Sequence, residues 1–222
     1  MAFFAIDLAL VHDQALSAWA VAETPLFEDV PPAPVAGAAA EREGGEASLR
    51  LLVDAQHRAN FVIWRLEDEA RRRDVSDAYV ASLKRSIDPW NQRRNDLMER
   101  IDEAVLAALS GADLSHAQPH SETAAMMVDR LSILALKIRN MERVGAFAKK
   151  HVIAEECRAK ALILREQRED LGCCLEGLVE DFRAGRRFFK RYHQYKAYND
   201  PDLNPALSPV PGPGPTGVIL DD

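Results

Sequence analysis

Residues 77–109, DAYVASLKRSIDPWNQRRNDLMERIDEAVLAAL, decide the fold class of this chain. Apolar side chains recur in this stretch at gaps of three or four residues, and once at seven, which fits the period of an α-helix. Ser76 precedes the stretch and is a typical N-cap residue. The sequence therefore predicts a long amphipathic helix whose buried stripe consists of Val80, Leu83, Ile87, Trp90, Leu97, Ile101, Val105 and Ala108.

Pro89 lies inside this predicted helix. A proline in a helix interior removes one backbone hydrogen bond and kinks the helix. Alternatively, Asp88 caps a new helix with Pro89 at its first position, where proline is well tolerated. The sequence leaves both interpretations open.

Three further long helices are predicted on both sides of this stretch. They cover about residues 47–73, a segment capped by Ser121 and ending near Arg143, and about residues 152–184, where Gly185 is placed to end the last helix. No strand pattern is visible. We therefore predict an all-α fold, an antiparallel bundle of four long helices with an additional N-terminal helix and an irregular C-terminal tail.

The two ends of the chain differ in composition from this bundle. Residues 1–22 predict an amphipathic helix that packs within the chain or swaps onto a partner, which makes a homodimer a candidate assembly. Residues 23–46 contain Pro31-Pro32, Pro34 and Gly44-Gly45, and we expect a disordered linker there. The bundle domain is predicted over residues 47–207, and the Pro- and Gly-rich residues 208–222 predict a disordered tail.

The overall charge limits the classes of partner. The chain of 222 residues has a formal net charge of −7 and a pI of about 5.4, which argues against a general nucleic-acid binder. No apolar run is long enough to form a transmembrane segment. The three cysteines lack a disulfide or zinc spacing, so we expect reduced thiols and a cytoplasmic protein, with Cys173 and Cys174 buried.

Polar residues follow the helical period beside the apolar stripes. A solvated face is the ordinary explanation for such a row, but asparagine is a poor helix former and indicates hydrogen bonding. The alternatives are a structural network between helices and a ligand pocket. The rows consist of His57, Asn60, Trp64, Asp68 and Arg71 on the second helix, and of Lys84, Asp88, Asn91, Asn95, Glu99 and Asp102 on the third.

Two arginines, Arg94 and Arg168, lie inside apolar stripes. An unpaired buried charge is very costly, so each arginine predicts a carboxylate that faces it. Asp68, Glu99 and Asp170 are the candidates. On the fourth helix, Asp129 and Ser132 border the buried stripe, and Arg130 and Lys137 share another face.

These residue types suggest the chemistry of a phosphorylated ligand. Paired carboxylates at helical spacing can hold Mg²⁺, and arginine and lysine bind phosphate. The metal candidates are Glu67, Asp68, Asp96, Glu99 and Asp102, and the catalytic candidates are His57 as a general base with Glu67, Asp68 and Asp102. The ligand-binding candidates are Asn60, Trp64, Arg71, Lys84, Asn91, Arg94, Asn95, Asp129, Arg130 and Lys137.

Four strings of the chain resemble a bacterial family known as domain of unknown function 4254. They are NFVIWRLEDEAR (60–71), KRSIDPWNQRRNDLMERID (84–102), SETAAMMVDRLSILALKIRNM (121–141) and YKAYNDPDLNP (195–205). The family pattern has no proline at the position of Pro89. The resemblance implies a helical bacterial protein of unassigned activity, encoded near glycosyltransferases of cell-surface polysaccharide synthesis.

Two functions are therefore predicted as alternatives. In the first, the bundle binds or processes a phosphorylated small molecule such as a nucleotide or nucleotide-sugar, with Mg²⁺ as the candidate cofactor. In the second, the protein is a non-catalytic helical partner of a glycosyltransferase, the polar rows are structural and the N-terminal helix is the docking element. The sequence leaves open whether the protein is an enzyme.

Overall fold

The computed structural model describes residues 8–21, 46–193, 202–204 and 206–207. Within this part of the chain the secondary structure is almost entirely helical, so the predicted all-α fold class is confirmed. The helices are α1 (Leu8–Val21), α2 (Glu46–Ala70), α3 (Asp77–Ala108), α4 (Ala124–Phe147) and α5 (His151–Arg183). The predicted linker at residues 23–46 lies outside the described residues except for Glu46, and so does the predicted tail at residues 208–222.

Helix α3 runs through Pro89 without a break. Ser76 is its N-cap as predicted, and the Ser76 hydroxyl accepts a hydrogen bond from the Tyr79 amide at 3.3 Å. The alternative of a new helix beginning at Pro89 is therefore wrong. Burial explains the continuity, because Leu83 and Ile87 are packed against Leu66 of α2 immediately before the proline.

The long helices form two hairpins, α2 with α3 and α4 with α5. The connections are only residues 71–76 and 148–150, and the two helices of each pair contact each other, so they run antiparallel. Helix α4 also contacts α1, α2 and α3, and the main apolar cluster includes Val53, Ile101, Met127 and Leu175 from four different helices. The N-cap of α4 is Thr123, whose hydroxyl accepts from the Met126 amide at 3.2 Å, so the prediction of Ser121 was wrong by two residues.

Gly185 ends α5 as predicted. Its φ of +68° is in the left-handed region that glycine adopts without strain, and the Arg186 amide donates back to the Asp181 carbonyl at 2.8 Å. A β-carbon at Gly185 would lie 2.3 Å from the Asp113 carbonyl oxygen. After this turn a two-residue strand, β2 (Arg187–Phe188), pairs in parallel with β1 (Gln118–Pro119), which the sequence did not predict.

The chain divides into two compact units, residues 1–191 and 192–222. In the first unit, α1 packs on α2 and α4 of the same chain, and Phe189 is buried against Phe182. In the second unit, the Leu207 amide donates to the Asn204 carbonyl in a turn. Among the described residues, no helix is both long and apolar enough to cross a bilayer.

Candidate functional site

A network of buried polar side chains lies where α1, α2 and α4 meet. Residues buried this deeply are seldom polar unless hydrogen bonds compensate for the lost water. The network consists of His12, Gln56, His57, Asn60 and Ser132, each at most 4% exposed, together with Asp129.

Asp129 of α4 is the principal acceptor of this network. Its Oδ1 atom accepts from Gln56 Nε2 at 2.5 Å and from Asn60 Nδ2 at 2.9 Å, and both donors are on α2. Arg94 Nε of α3 lies 3.9 Å from the same oxygen. One carboxylate oxygen therefore joins three helices, and the negative charge is compensated by a guanidinium and two amides.

Ser132 is one turn further along α4 and extends the network. Its hydroxyl lies 2.9 Å from Asn60 Nδ2 and 2.7 Å from His57 Nδ1. The Asn60 amide nitrogen therefore contacts both Asp129 and Ser132, which fixes the register of α2 against α4.

His12 of α1 completes the network, and sequence reasoning missed it. Its ring centroid lies 4.4 Å from that of His57, and neither of its ring nitrogens has a hydrogen-bond partner in the described part of the chain. Burial lowers the pKa of His12 well below its usual value, and burial lowers the pKa of His57 to about 3. Both rings are therefore neutral at pH 7.

Arg168 of α5 is held by α1. Its guanidinium donates to Asp13 Oδ1 at 3.1 Å and to the Ala9 carbonyl at 2.9 Å, and its side chain is 12% exposed. The prediction that Arg94 and Arg168 face carboxylates is confirmed, but the proposed partners were wrong. The partners are instead Asp129 for Arg94 and Asp13 for Arg168. Each carboxylate lies on a different helix from its arginine, and the spacing of residues along one helix does not show such contacts.

Asp102, a residue of α3, lies outside this network and beside the beginning of α4. Its Oδ1 atom accepts from the Ala125 amide at 2.8 Å, and the residue is 5% exposed. Burial raises the pKa of Asp102 to about 6, against the opposing hydrogen bonds from Thr123 and Ala125. This geometry makes Asp102 a cap for the unpaired amides at the N-terminus of α4.

The other predicted acids are not brought to one place. Glu67 and Asp68 pair with Arg71 at 3.4 and 3.6 Å, and Lys84 pairs with Asp88 at 3.7 Å, at partly or largely exposed positions of α2 and α3. The remaining candidates lie elsewhere along the helices: Asp96 accepts from Gln92, Glu99 and Asn91 are half-buried, Asn95 is buried, and Trp64 packs near Leu16. Among the described residues, no three His, Cys, Asp or Glu side chains cluster closely enough to hold a metal ion.

A groove of about 650 Å³ between α4 and α5 is the second candidate site, and we name it the α4–α5 groove. Arg130 and Lys137, predicted to share a face, both line it. Cys174 is also part of its wall, and Cys173 and Cys174 are both exposed, so the prediction that they are buried was wrong. The lining residues are Arg130, Ile133, Leu134, Lys137, Gln167, Asp170, Leu171 and Cys174.

Comparison with known proteins identifies one family. The family described as protein of unknown function (DUF4254) matches residues 50–191. Neither the curated proteins nor the solved structures gave a match. The matched range contains the network residues of α2, α3 and α4 and the whole α4–α5 groove, whereas His12 and Asp13 of α1 lie outside it.

Proposed function

The chain belongs to the DUF4254 family, and we propose on that premise that it binds a phosphorylated small molecule in the α4–α5 groove. The observation that carries the proposal is the placement of Arg130 and Lys137 on one wall of a groove of about 650 Å³. Pockets for small ligands typically have volumes of about 300–1,000 Å³. A nucleotide or a nucleotide-sugar matches this size.

Arg130 and Lys137 differ in whether another side chain of the protein already holds them. Arg130 is held by Glu122, with Nη1 2.7 and 2.8 Å from the two carboxylate oxygens. Lys137 is exposed and has no ion-pair partner among the described residues. Lys137 therefore provides the first phosphate contact, and Arg130 adds a second by turning from Glu122 to the ligand.

The rest of the groove suits the remaining parts of such a ligand. Leu134 and Leu171 provide apolar surface for a base or a sugar ring, and Gln167 and Asp170 provide hydrogen-bonding groups for hydroxyls. We propose that Mg²⁺ enters with the phosphates of the ligand, since Mg²⁺ is often held largely by substrate phosphates and water. The proposal is for binding, and the network residues His57 and Asp129 contribute to it through stability alone.

A thermal-shift screen tests this proposal. Nucleotides and nucleotide-sugars, each with and without MgCl₂, are added to the full-length protein, and a ligand that binds the folded state raises its Tm. We expect Lys137→Ala to weaken the binding of a ligand found in the screen about tenfold, measured by calorimetry, because one charge-assisted contact to phosphate is lost. Lys160→Ala is the matched control, because Lys160 is an exposed lysine of α5 that pairs with Glu156 and does not line the groove.

The outcome separates the proposal from its alternative. An equal loss of affinity in both lysine variants would show a general charge effect rather than a site. A screen without any Tm shift would overturn the proposal for these ligand classes.

A second candidate function is the non-catalytic partner of a glycosyltransferase, and one observation favours it. Asn60, Arg94 and Asp129, which were predicted to bind a ligand, are instead used in the buried network. In this proposal the network is structural and α1 is the docking element. Analytical ultracentrifugation of the full chain with a purified glycosyltransferase of cell-surface polysaccharide synthesis tests this proposal. Leu10→Ser is the variant to compare, because Leu10 is 48% exposed on α1.

Both proposals are for a bacterial protein in the cytoplasm. The exposed thiols of Cys173 and Cys174 are suited to a reducing compartment. Labelling of both thiols in freshly prepared cell extract, without added reductant, checks this location.

A further inference from the structure

The end of the α4–α5 hairpin exposes several large apolar side chains. Residues 143–154, which we name the hairpin tip, include the end of α4, the connection at residues 148–150 and the beginning of α5. Their exposed fractions are 82% for Phe147, 63% for Val152, 40% for Val144 and 39% for Ile153. Scattered apolar residues are normal on a protein surface, but here four lie within ten consecutive positions at one end of the hairpin.

Loose packing does not explain this exposure. On the inner side of the tip, Ala154 and Cys157 are buried. A β-carbon at Gly145 would lie 3.2 Å from Cys157 Cβ, so α4 and α5 are in close contact there. The helices are therefore well packed to their ends, and the exposed side chains point away from a formed core.

The hairpin tip is also positively charged. Residues 143–154 contain Arg143, Lys149 and Lys150 and no acidic residue, although the whole chain has a net charge of −7. Of the nearest acids, Glu142 pairs with Arg165, and Glu155 lies 3.4 Å from His151. The local charge of the tip is thus opposite to that of the chain.

The beginning of α5 also departs from the usual capping preference. Lys150 is at the N-cap and makes no side-chain cap hydrogen bond, and the first turn contains no acid. Ser, Thr, Asp and Asn are preferred at this position, and a positive charge is unfavourable near the N-terminus of a helix. The basic sequence of the tip therefore does not serve the stability of α5.

We propose that the hairpin tip docks onto an anionic lipid bilayer. Phe147 and Val152 enter the headgroup region, while Arg143, Lys149 and Lys150 lie beside the lipid phosphates. The strength of interfacial membrane binding comes from buried apolar surface together with the attraction of basic residues to anionic lipids. A second copy of the chain is a poorer occupant, because its corresponding patch is equally basic and a symmetric contact would bring like charges together.

Vesicle co-sedimentation of the full-length protein tests the proposal. Vesicles of phosphatidylcholine with roughly 30 mol% phosphatidylglycerol are compared with vesicles of phosphatidylcholine alone, because anionic headgroups attract basic segments. We expect binding to the anionic vesicles only, and a severalfold loss of bound protein as NaCl is raised, because salt screens exposed charges.

Variants then locate the binding surface. We expect Lys149→Glu with Lys150→Glu to lower the bound fraction by about tenfold or more, because two attractive charges become repulsive. Phe147→Ser should lower it severalfold without changing Tm, because an exposed apolar side chain is lost. Leu162→Ser is the matched control, because Leu162 is 64% exposed on α5 but lies outside the tip, and it should bind as the native chain does.

Three results would overturn the proposal. They are an absence of binding to anionic vesicles, equal binding to neutral vesicles, and binding that the tip variants leave unchanged. A dimer in light scattering that Phe147→Ser dissociates, with no vesicle binding, would instead assign the tip to contact between copies of the chain. The test is independent of the groove, since none of the tip residues lines it.

Discussion

Helix α4 carries two pairs of polar residues that lie close together in the sequence but on different faces of the helix, one buried and one exposed. Asp129 and Ser132 face α2, where buried partners satisfy them. Arg130 and Lys137 line an open groove beside α5, where Lys137 has no ion-pair partner among the described residues. The comparison shows that the facing helix, more than the residue type, decides whether a polar side chain supports the fold or is available to a ligand.

This difference gives the two regions different expected phenotypes. Changes in the buried network should alter stability, because each polar group there relies on a protein partner in place of water. Changes at the groove should alter ligand binding and leave stability nearly constant, since surface substitutions usually change it by at most about 0.5 kcal/mol.

The largest effect is expected for Asp129→Ala. This change removes the acceptor of Gln56 and Asn60 and leaves the Arg94 guanidinium without its carboxylate. Breaking a buried ion pair from one side typically costs about 3–5 kcal/mol, and we expect the lower end of this range because the Arg94 side chain is 28% exposed. Urea unfolding followed by circular dichroism measures the change in unfolding free energy.

Glu122→Ala is the matched control for this prediction. It removes another carboxylate that pairs with an arginine, but Arg130 is largely exposed, and exposed pairs contribute about 0–1 kcal/mol. Equal losses in the two variants would contradict the distinction between the buried network and the groove.

Acid should destabilise the network next most strongly. The pKa of His57 is lowered from 6.5 to about 3 by burial, so its contribution to stability is present above pH 6.5 and is lost as the pH falls toward 3. His12 acts in the same direction. The expected loss from His57 alone is about 1.4 kcal/mol per pH unit, or about 3 kcal/mol at pH 4.5.

A pH series of urea unfolding curves measures this dependence. His57→Asn removes the titrating ring while keeping a side chain that can hydrogen-bond to Ser132, so its stability should fall less steeply between pH 6.5 and 4.5. If the unfolding free energies of the native protein and the variant fall equally with pH, protonation of His57 costs no stability, which would contradict the effect expected from its burial.

Asp102 should show a smaller pH effect of the opposite sign. Its pKa is raised to about 6, so its contribution is fully present below its ordinary value of 3.8 and is lost as the pH rises through 6. Asp102→Asn does not titrate. Relative to the native chain, the variant should gain about 2 kcal/mol in unfolding free energy between pH 4 and pH 7. A constant difference across this range would show that the native carboxylate is not buried.

Much of the fold was predictable because helical periodicity is a local property. The apolar stripe of α3, the Ser76 cap and the end of α5 at Gly185 each depend on residues close together in the chain. The cap and the helix end were confirmed, and the stripe was confirmed from Leu83 to Val105, whereas Ala108 at its end is exposed. The local sequence at Pro89 allowed either a continuous helix or a new one, and tertiary packing decides for the continuous helix, since Ile87, two residues before the proline, is buried.

The site was less predictable because its contacts join distant segments. Spacing along α2 correctly placed His57 and Asn60 on one face, but did not show that Asp129 lies opposite them. His12 is 45 positions from His57 and lies in a segment without a row of polar residues. The only sign of it in the sequence is that it interrupts an apolar stretch. Glu67, Asp68 and Asp96 follow the helical period equally well and pair at the surface instead.

The smallest effect on stability is expected at the contact between α1 and α5. This contact tests how far the buried network depends on α1, which lies outside the range matched by the family. Asp13→Ala removes the carboxylate that accepts from Arg168, and because Asp13 is largely exposed the cost should be about 0.5–1 kcal/mol. Arg168 keeps the Ala9 carbonyl, so α1 should stay helical but open more often over His57. Hydrogen exchange should therefore quicken in Leu8–Val21 and remain unchanged in α3. Ser17→Ala, which removes a hydroxyl that donates to the Asp13 carbonyl within α1, should leave both unchanged. If Asp13→Ala instead quickens exchange throughout α2 and α4, α1 is part of the cooperative core and its contact with Arg168 supports the whole bundle.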